Sequence, residues 1–145
     1  MPKTFISIVL FFTLFITTNA FAGVVIIVNK NNPIINISSS ELKHMYTGEL
    51  KLWDNGKKIS PVVLKDSNPT AIKFVSSILG IDMETWRRYW AQKLFSGTAT
   101  PPHQEKDESS LVSYVSEESG AIGYVMKEST NNSVKVISVD GKSEF

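Results

Sequence analysis

The stretch Val24–Val28, with the sequence VVIIV, decides the fold of this 145-residue chain. All five residues are β-branched, and β-branched side chains favour extended backbone. A continuous apolar run of this length is typical of a strand that is buried on both faces, as in a parallel or mixed sheet. Asn29 and Pro33 end the run. The stretch therefore predicts an interior strand of a sheet that is flanked by helices.

Strand and helix signals alternate along the rest of the chain, outward from this strand. Further apolar runs predict strands at 59–64, 121–125 and 134–139. Helices are predicted to begin near Ser39, Pro69, Met83 and Glu108, from the apolar periodicity and from the capping residues Ser38, Asp82 and Asp107. The alternation indicates one α/β domain with a mixed sheet flanked by helices. Its predicted core includes Val25, Ile27, Val63, Phe74, Trp90, Ile122 and Tyr124.

The N-terminal 22 residues have the pattern of a secretory signal peptide. Lys3 is followed by the apolar stretch Phe5–Ile16, and Ala20–Ala22 forms an A-x-A cleavage site. The alternative is an uncleaved anchor, but the apolar stretch is shorter than the roughly 20 residues that span a bilayer. The pattern predicts cleavage after Ala22. It leaves a periplasmic domain at 23–145 with no membrane span.

Composition and charge exclude several classes of protein. The chain has 15 Lys and Arg against 14 Asp and Glu, which is not the basic balance of a general nucleic-acid binder. It has no Cys, which excludes a disulfide scaffold, Cys-ligated zinc and a catalytic thiol. His44 and His103 lack the spacing of a metalloprotease motif, and no nucleophile or nucleotide motif occurs. The sequence predicts no metal, no cofactor and no enzyme activity.

Three segments, in order along the chain, carry a family resemblance. They are Met45–Gly48 with Trp53 and Gly56–Val62, then Asp66–Thr70 with Phe74, then Ser119–Val125 (SGAIGYV). Together they resemble the phosphate-specific branch of the type II periplasmic binding proteins, the solute receptors of ABC transporters. The resemblance implies one α/β lobe of that fold and a receptor for phosphate.

The chain departs from the family in two ways. A complete receptor has two lobes that close over the ligand, and 123 residues after cleavage (145 − 22) suffice for only one. The resemblance equates this lobe with the family's central, inserted lobe. In the ligand loop, Asn68-Pro69-Thr70 stands where the family has Ser-Gly-Thr, and Leu64 stands where it has Arg. A homodimer, or another chain, would have to supply the missing side.

The best candidate for an anion site is the turn between the second predicted strand and the following helix. The predicted site residues are Asp66, Ser67, Asn68, Thr70 and Ala71. A helix N-terminus offers unpaired N–H groups and a positive dipole end to an anion. The resemblance implies that Asp66 accepts a proton from monoprotonated phosphate. The alternative is an ordinary helix start, with Ser67 or Asn68 as its N-cap.

The predicted helix Met83–Phe95 is rich in aromatic residues, namely Trp86, Tyr89, Trp90 and Phe95. They could form a stacking platform for a sugar or a base. Helical spacing is shared by Met83, Trp86, Trp90 and Leu94. Because an amphipathic helix must bury such a stripe, packing against the core is the preferred interpretation. Arg87 and Arg88 then lie on or beside the outer face, as solvated charges or as contacts for an anion.

Two other groups of residues have simple interpretations. The acidic residues Glu105, Asp107 and Glu108 follow a Pro pair and are interpreted as helix-start charge, because no calcium-binding loop surrounds them. On the helix after Pro69, residues Ile72, Val75, Ile78 and Leu79 are expected to face the core.

Two functional hypotheses follow from the sequence. The first is a periplasmic solute-binding module for phosphate or another small oxyanion, linked to an ABC transporter. The second is a binding-protein lobe reused as a protein–protein interaction component of an envelope system, without a small ligand. The turn at 66–71 discriminates between them, because a phosphate receptor must surround its anion with hydrogen-bond donors.

Overall fold

The computed structural model describes residues 23–145, which form a six-stranded mixed sheet with helices packed against it. The strands are β1 (Val24–Asn29), β2 (Asn36–Ile37), β3 (Ser60–Leu64), β4 (His103–Glu105), β5 (Ala121–Met126) and β6 (Val134–Val139). The α-helices are α1 (Ser39–Thr47), α2 (Pro69–Phe74), α3 (Met83–Phe95) and α4 (Glu108–Glu117). A π-helical segment, Val75–Leu79, continues α2, and a 3₁₀ turn spans Lys127–Ser129.

Strand β1 lies in the interior of the sheet, whose order is β2-β6-β1-β5-β3-β4. It pairs antiparallel with β5 and with β6, so that Ile26 lies between Tyr124 and Ile137. Strand β3 is parallel to both β5 and β4. All six residues of β1 are buried, which confirms the interior strand predicted from VVIIV. The seven predicted core residues are also all buried.

The helices begin at the capping residues that the sequence predicted. Ser38 and Glu41 form a reciprocal capping box at the start of α1. The Asp82 carboxylate accepts the Thr85 N–H at 2.6 Å, and the Asp107 carboxylate accepts the Ser110 N–H at 2.8 Å. These hydrogen bonds satisfy N–H groups that a helix start otherwise leaves unpaired.

The predicted core face of the helix after Pro69 is wrong in part. Ile72 is 47% exposed, whereas Ala71 and Phe74 are buried. Val75 and Leu79 are buried as predicted, and Ile78 is partly buried. The physical reason is the π-helical segment, because its wider turns break the 3.6-residue period on which the prediction depended.

The aromatic stripe on α3 is correct only over the first part of the helix. Trp86 and Trp90 are buried in the core, but Leu94 is 63% exposed and Phe95 is 97% exposed. Met83 and Tyr89 are partly buried against the core, the two tryptophans are buried, and the last turn lies free of the core. The stripe does not extend to Leu94 because packing against the rest of the domain ends before that turn.

Two short strands were missed by the sequence analysis. Strand β2 has two residues and pairs with β6, and strand β4 has three residues and pairs with β3. Neither is long enough to show an alternating pattern of its own. Each is extended because a neighbouring strand offers it hydrogen bonds at one edge of the sheet.

The two ends of the described domain are hydrogen-bonded to each other. The Val24 N–H donates to the Phe145 carbonyl at 2.8 Å, and the Phe145 N–H donates back at 3.0 Å. The Gly23 N–H donates to the Glu144 carboxylate at 2.8 Å. The predicted signal peptide at 1–22 lies outside the described residues. Within 23–145, no helix is long and apolar enough to cross a membrane.

Candidate functional site

The motif around Gly120 is used for packing. The Gly120 carbonyl accepts the indole N–H of Trp53 at 3.0 Å and the backbone N–H of Ser60 at 2.9 Å. A Cβ atom on Gly120 would lie 2.0 Å from the Lys58 carbonyl oxygen, a distance that no real side chain tolerates. Glycine is therefore required here so that the start of β5 can approach the segment before β3.

The aromatic residues of the motifs meet inside the domain. The rings of Phe74 and Tyr124 stack with centroids 3.9 Å apart, and Tyr46 packs against Phe74 at 4.8 Å. The Tyr46 hydroxyl lies 3.0 Å from the Val62 carbonyl and 3.1 Å from that of Ile122. These contacts tie α1 and α2 to the interior strands, so the motif aromatics have structural roles.

The turn after β3 is built as a capped helix start. The Asn68 N–H donates to the Lys65 carbonyl at 2.8 Å and closes the turn. The Asn68 side-chain oxygen accepts the Thr70 N–H at 2.8 Å, which makes Asn68 the N-cap of α2. Pro69 takes the first helical position, where its lack of an N–H costs nothing. The Thr70 backbone donor is therefore already bonded within the turn.

The Thr70 side chain is engaged by an acidic residue from α4. Its hydroxyl donates to Glu108 Oε1 at 2.5 Å, and the other oxygen of Glu108 accepts the Met126 N–H at 3.2 Å. Thr70 is 6% exposed, so its contact with Glu108 is largely shielded from solvent. Glu108 was interpreted from the sequence as helix-start charge; the structure gives its carboxylate two specific partners.

Asp66, in the same turn, is paired with an arginine from α3. The Arg87 Nε donates to Asp66 Oδ2 at 2.8 Å. About half of the Arg87 side chain remains exposed, so part of its guanidinium faces solvent beside the turn. The helical pattern predicts Arg87 on or beside the outer face, and it carries no sign of the contact with Asp66. The basic pair Arg87-Arg88 was the only sequence signal for this contact.

The predicted site residues thus lie together, but in different surroundings. Ser67 is exposed and Asn68 is half-buried, whereas Thr70 and Ala71 are buried. Beside Asp66 is a cavity of about 270 Å³ between α3 and β4. It is lined by Val63, Asp66, Trp86, Arg87, Trp90, Pro101, Pro102 and Gln104.

Two carboxylates, those of Asp66 and Glu108, act on a buried hydroxyl at the start of the turn. The Leu64 N–H donates to the Tyr124 hydroxyl at 3.0 Å, at the end of β3. The pKa of this hydroxyl is raised, first by burial and further by the negative charges of Asp66 and Glu108. Both carboxylates therefore act on the same interior point. Arg87 is the cation that pairs with one of them.

A second cavity, of about 360 Å³, lies between the end of α1, the start of β3 and the segment 99–103. Trp90 lines both cavities, and its indole N–H is the buried side-chain donor that finds no acceptor within 23–145.

His103 stacks on Tyr114 at 4.2 Å and contacts Glu105 at 2.7 Å. The described part of the chain has no group of three acidic or histidine residues that could hold a metal.

Solved structures with a similar fold include a phosphate transport receptor. An ABC-type phosphate transport receptor from Vibrio cholerae matches with a TM-score of 0.68 and 22% identity, over 85% of this chain and 48% of the receptor. PstS from Borrelia burgdorferi matches with a TM-score of 0.65 and 16% identity, over 85% and 49%.

A Clostridium perfringens structure with bound phosphate, described as a candidate phosphate ABC transporter substrate-binding protein, also matches. Its TM-score is 0.68 and its identity 24%, over 83% of this chain and 46% of that one. The chain therefore spans about half the length of the receptors it matches. No curated protein is similar enough in sequence to count as a match.

These likenesses confirm the predicted fold class, a mixed α/β lobe of the binding-protein type. The family resemblance read from the three segments is confirmed as well. The model of the PBP superfamily domain matches residues 17–142, which is most of the sequence. This chain belongs to the PBP superfamily domain family.

Proposed function

We propose that this lobe is a periplasmic binding module for phosphate or another small oxyanion, and that it serves an ABC transporter. The observation that carries the proposal is the contact between Arg87 and Asp66, which brings a guanidinium to the turn after β3. The family's Arg position is Leu64 here, so Arg87 is the cation that would replace it. The phosphate receptors with the same fold support phosphate as the ligand class.

The ligand would lie at the rim of the turn, against residues 66–71. Arg87 uses Nε for Asp66 and keeps the rest of its fork, which suits the bidentate recognition of an oxyanion. The exposed Ser67 hydroxyl adds a second donor. Asp66 would accept a proton from monoprotonated phosphate, a hydrogen bond that sulfate cannot donate. We therefore expect a preference for phosphate over sulfate.

One lobe offers donors from only one side. A phosphate ion is strongly hydrated, and its transfer from water needs several hydrogen bonds acting together. Asn68 and Glu108 already use both donors of Thr70. We expect a dissociation constant between about 1 μM and 1 mM for the single lobe, tightened when a second chain covers the site.

The direct test is calorimetry of the exported protein with phosphate and, separately, with sulfate. Arg87→Ala should weaken phosphate binding by roughly tenfold or more, because a charge-assisted bond contributes about 1.5–3 kcal/mol. Arg88→Ala is the matched control, since Arg88 is a neighbouring arginine that pairs with Glu84 instead. Its affinity should equal that of the unchanged protein.

Equal phosphate affinity in the Arg87→Ala and Arg88→Ala variants would place the anion elsewhere on the lobe. Absence of any heat with either anion at millimolar concentration would contradict the receptor function itself. A solution mass measured with and without phosphate reports whether a second copy completes the site.

The second candidate is a lobe reused as a protein–protein interaction component, with no small ligand. Two observations favour it: the polar groups of Thr70 and Asp66 already have internal partners, and Leu94 and Phe95 are exposed at the end of α3. This function would be supported if the protein binds neither phosphate nor sulfate, and if Phe95→Ser reduces its association with itself or with an envelope partner. Phosphate binding in the calorimeter with no effect of Phe95→Ser would exclude it.

Export to the periplasm is part of the proposal. It depends on the predicted signal peptide at 1–22. Mass spectrometry of the protein recovered from the periplasm should give a chain that starts at Gly23. A chain that retains Met1 would contradict cleavage.

A further inference from the structure

The carboxylate of Glu108 is held in the way that a bound anion would be. One oxygen accepts the hydroxyl of Thr70 at 2.5 Å, and the other accepts the backbone N–H of Met126 at 3.2 Å. The two donors come from α2 and from the end of β5, while Glu108 itself comes from α4. A pair of oxygens from one anion thus bridges two elements that are far apart in the sequence.

Neither donor has another acceptor among residues 23–145. Thr70 is 6% exposed and Met126 is half-buried, so water does not freely replace the carboxylate. A buried donor without a partner costs about 1–3 kcal/mol, so the contacts of Glu108 with these donors stabilise the folded domain. The same two donors are the kind that hold phosphate oxygens, because phosphate also presents pairs of negative oxygens.

We infer that Glu108 is an internal substitute for the anion, and that it is the residue that sets how tightly this lobe binds phosphate at the turn 66–71. The inference rests on the proposed function, since it concerns the same turn. Glu108 lowers phosphate affinity in two ways. It occupies the Thr70 hydroxyl, and it brings a negative charge into contact with the turn, where Asp66 already carries one.

The Tyr124 hydroxyl accepts the Leu64 N–H at the end of β3, where the turn begins. Burial raises the pKa of this hydroxyl first, and the negative charges of Asp66 and Glu108 raise it further. A phosphate that entered the turn would meet the same two negative charges. Arg87 offsets Asp66 by direct contact, but within the described domain no basic side chain forms an ion pair with Glu108.

The test is phosphate binding by the exported protein with Glu108→Ala. Removal of the carboxylate frees two donors and one charge, so phosphate affinity should rise by roughly tenfold or more. Glu117→Ala is the matched control, because it removes the same charge from the exposed far end of α4. It should leave the affinity unchanged. The double variant Glu108→Ala with Thr70→Val should lose the part of the gain that comes from the freed hydroxyl, and keep the part that comes from the removed charge.

Stability gives a second readout that does not depend on calorimetric heat. Glu108→Ala should lower the thermal midpoint in buffer without phosphate, because two donors lose their acceptor. Added phosphate should restore the midpoint in Glu108→Ala and shift it far less in the unchanged protein. Glu108→Gln, which keeps a neutral acceptor in place, should fall between the two and shows whether the charge or the vacated donors matter more.

The outcomes separate this inference from the proposed function. If the unchanged protein binds phosphate and Glu108→Ala binds it no better, Glu108 is a structural residue and the inference fails while the receptor function stands. If phosphate binds only after Glu108 is removed, the inference holds and the native protein is not a phosphate receptor by itself. If no variant binds phosphate or is stabilised by it, both are overturned.

Discussion

The segment Gly120–Val125 and the turn Lys65–Ala71 both belong to the family resemblance, yet they are used differently. In the first, Gly120 admits the Lys58 carbonyl and Tyr124 stacks on Phe74, so the distinctive residues serve the packing of the sheet. In the second, the distinctive residues hold polar partners from other elements. Asp66 contacts Arg87, and Thr70 contacts Glu108.

This difference separates what the resemblance says about fold from what it says about function. The packing segment resembles the family, and Gly120 in it has no room for a side chain. The turn departs from the resemblance at Asn68 and Pro69, and β3 departs from it at Leu64, the residue before the turn. None of these departures prevents a capped helix from forming. The fold is shared with a phosphate transport receptor, while the contacts of the turn are particular to this chain.

The largest expected effect comes from Phe74, which ends the helix after the turn and stacks on Tyr124 of the packing segment. Phe74→Ala should lower the free energy of unfolding by about 3–5 kcal/mol, because it leaves a cavity between Tyr46 and Tyr124. Denaturant unfolding of the purified protein measures the change. Phe95→Ala is the matched control: that ring is 97% exposed, so its loss should change stability by less than about 0.5 kcal/mol. Equal effects of the two substitutions would contradict the burial assigned to Phe74.

The next effect tests the close approach at the start of β5. Gly120→Ala should cost roughly 1–3 kcal/mol, because the added Cβ meets the Lys58 carbonyl and the chain must shift. Ser119→Ala, at the exposed neighbouring residue, should cost little. Thermal unfolding of both variants checks the difference. Equal stability of Gly120→Ala and Ser119→Ala would contradict the close contact between Gly120 and the Lys58 carbonyl.

A smaller effect is expected in the turn. Asn68→Ala removes the N-cap of α2 and should cost about 1 kcal/mol. Ser67→Ala lies next to it and is exposed, so it should be within about 0.5 kcal/mol of the unchanged protein. Urea unfolding resolves such differences. The contrast between the two segments would be lost if Asn68→Ala destabilised the domain as much as Phe74→Ala.

The smallest effect concerns acid and the capping box of α1. Hydrogen bonds from Ser38 lower the pKa of Glu41 below its ordinary 4.5 in the folded protein. A lowered folded pKa contributes stability above the unfolded pKa, and this contribution is lost as the pH falls through the folded value. Glu41 is exposed, so we expect only a few tenths of a kcal/mol. Glu41→Gln should be less stable than the unchanged protein at pH 7, and this difference should shrink at pH 3; a constant difference would contradict it.

Much of the fold could be predicted from local patterns. VVIIV predicts a buried strand, and Ser38, Asp82 and Asp107 predict helix starts, because burial and capping depend on residues near in sequence. The exposure of Ile72 could not be predicted, since it follows from a π-helical segment that has no sequence signature here. The exposure of Leu94 depends on where the packing of α3 ends, which is decided by the rest of the domain.

The turn after β3 was located correctly as a strand-to-helix junction, but its contacts were not predictable. Arg87 is 21 residues from Asp66, and Glu108 is 38 residues from Thr70. Both pairs exist because the tertiary structure brings α3 and α4 to the turn. No local pattern distinguishes an acidic residue that faces Thr70 from one that faces solvent.

The hydrogen bonds between Val24 and Phe145 have a consequence for how this lobe can be joined to other polypeptides. The chain enters and leaves the described domain at one point, side by side. A domain with adjacent ends can be spliced into a surface loop of a host protein without stretching either, and it tolerates circular permutation more readily than one with distant ends. The adjacent positions of Val24 and Phe145 are therefore compatible with insertion of this lobe into a loop of another protein.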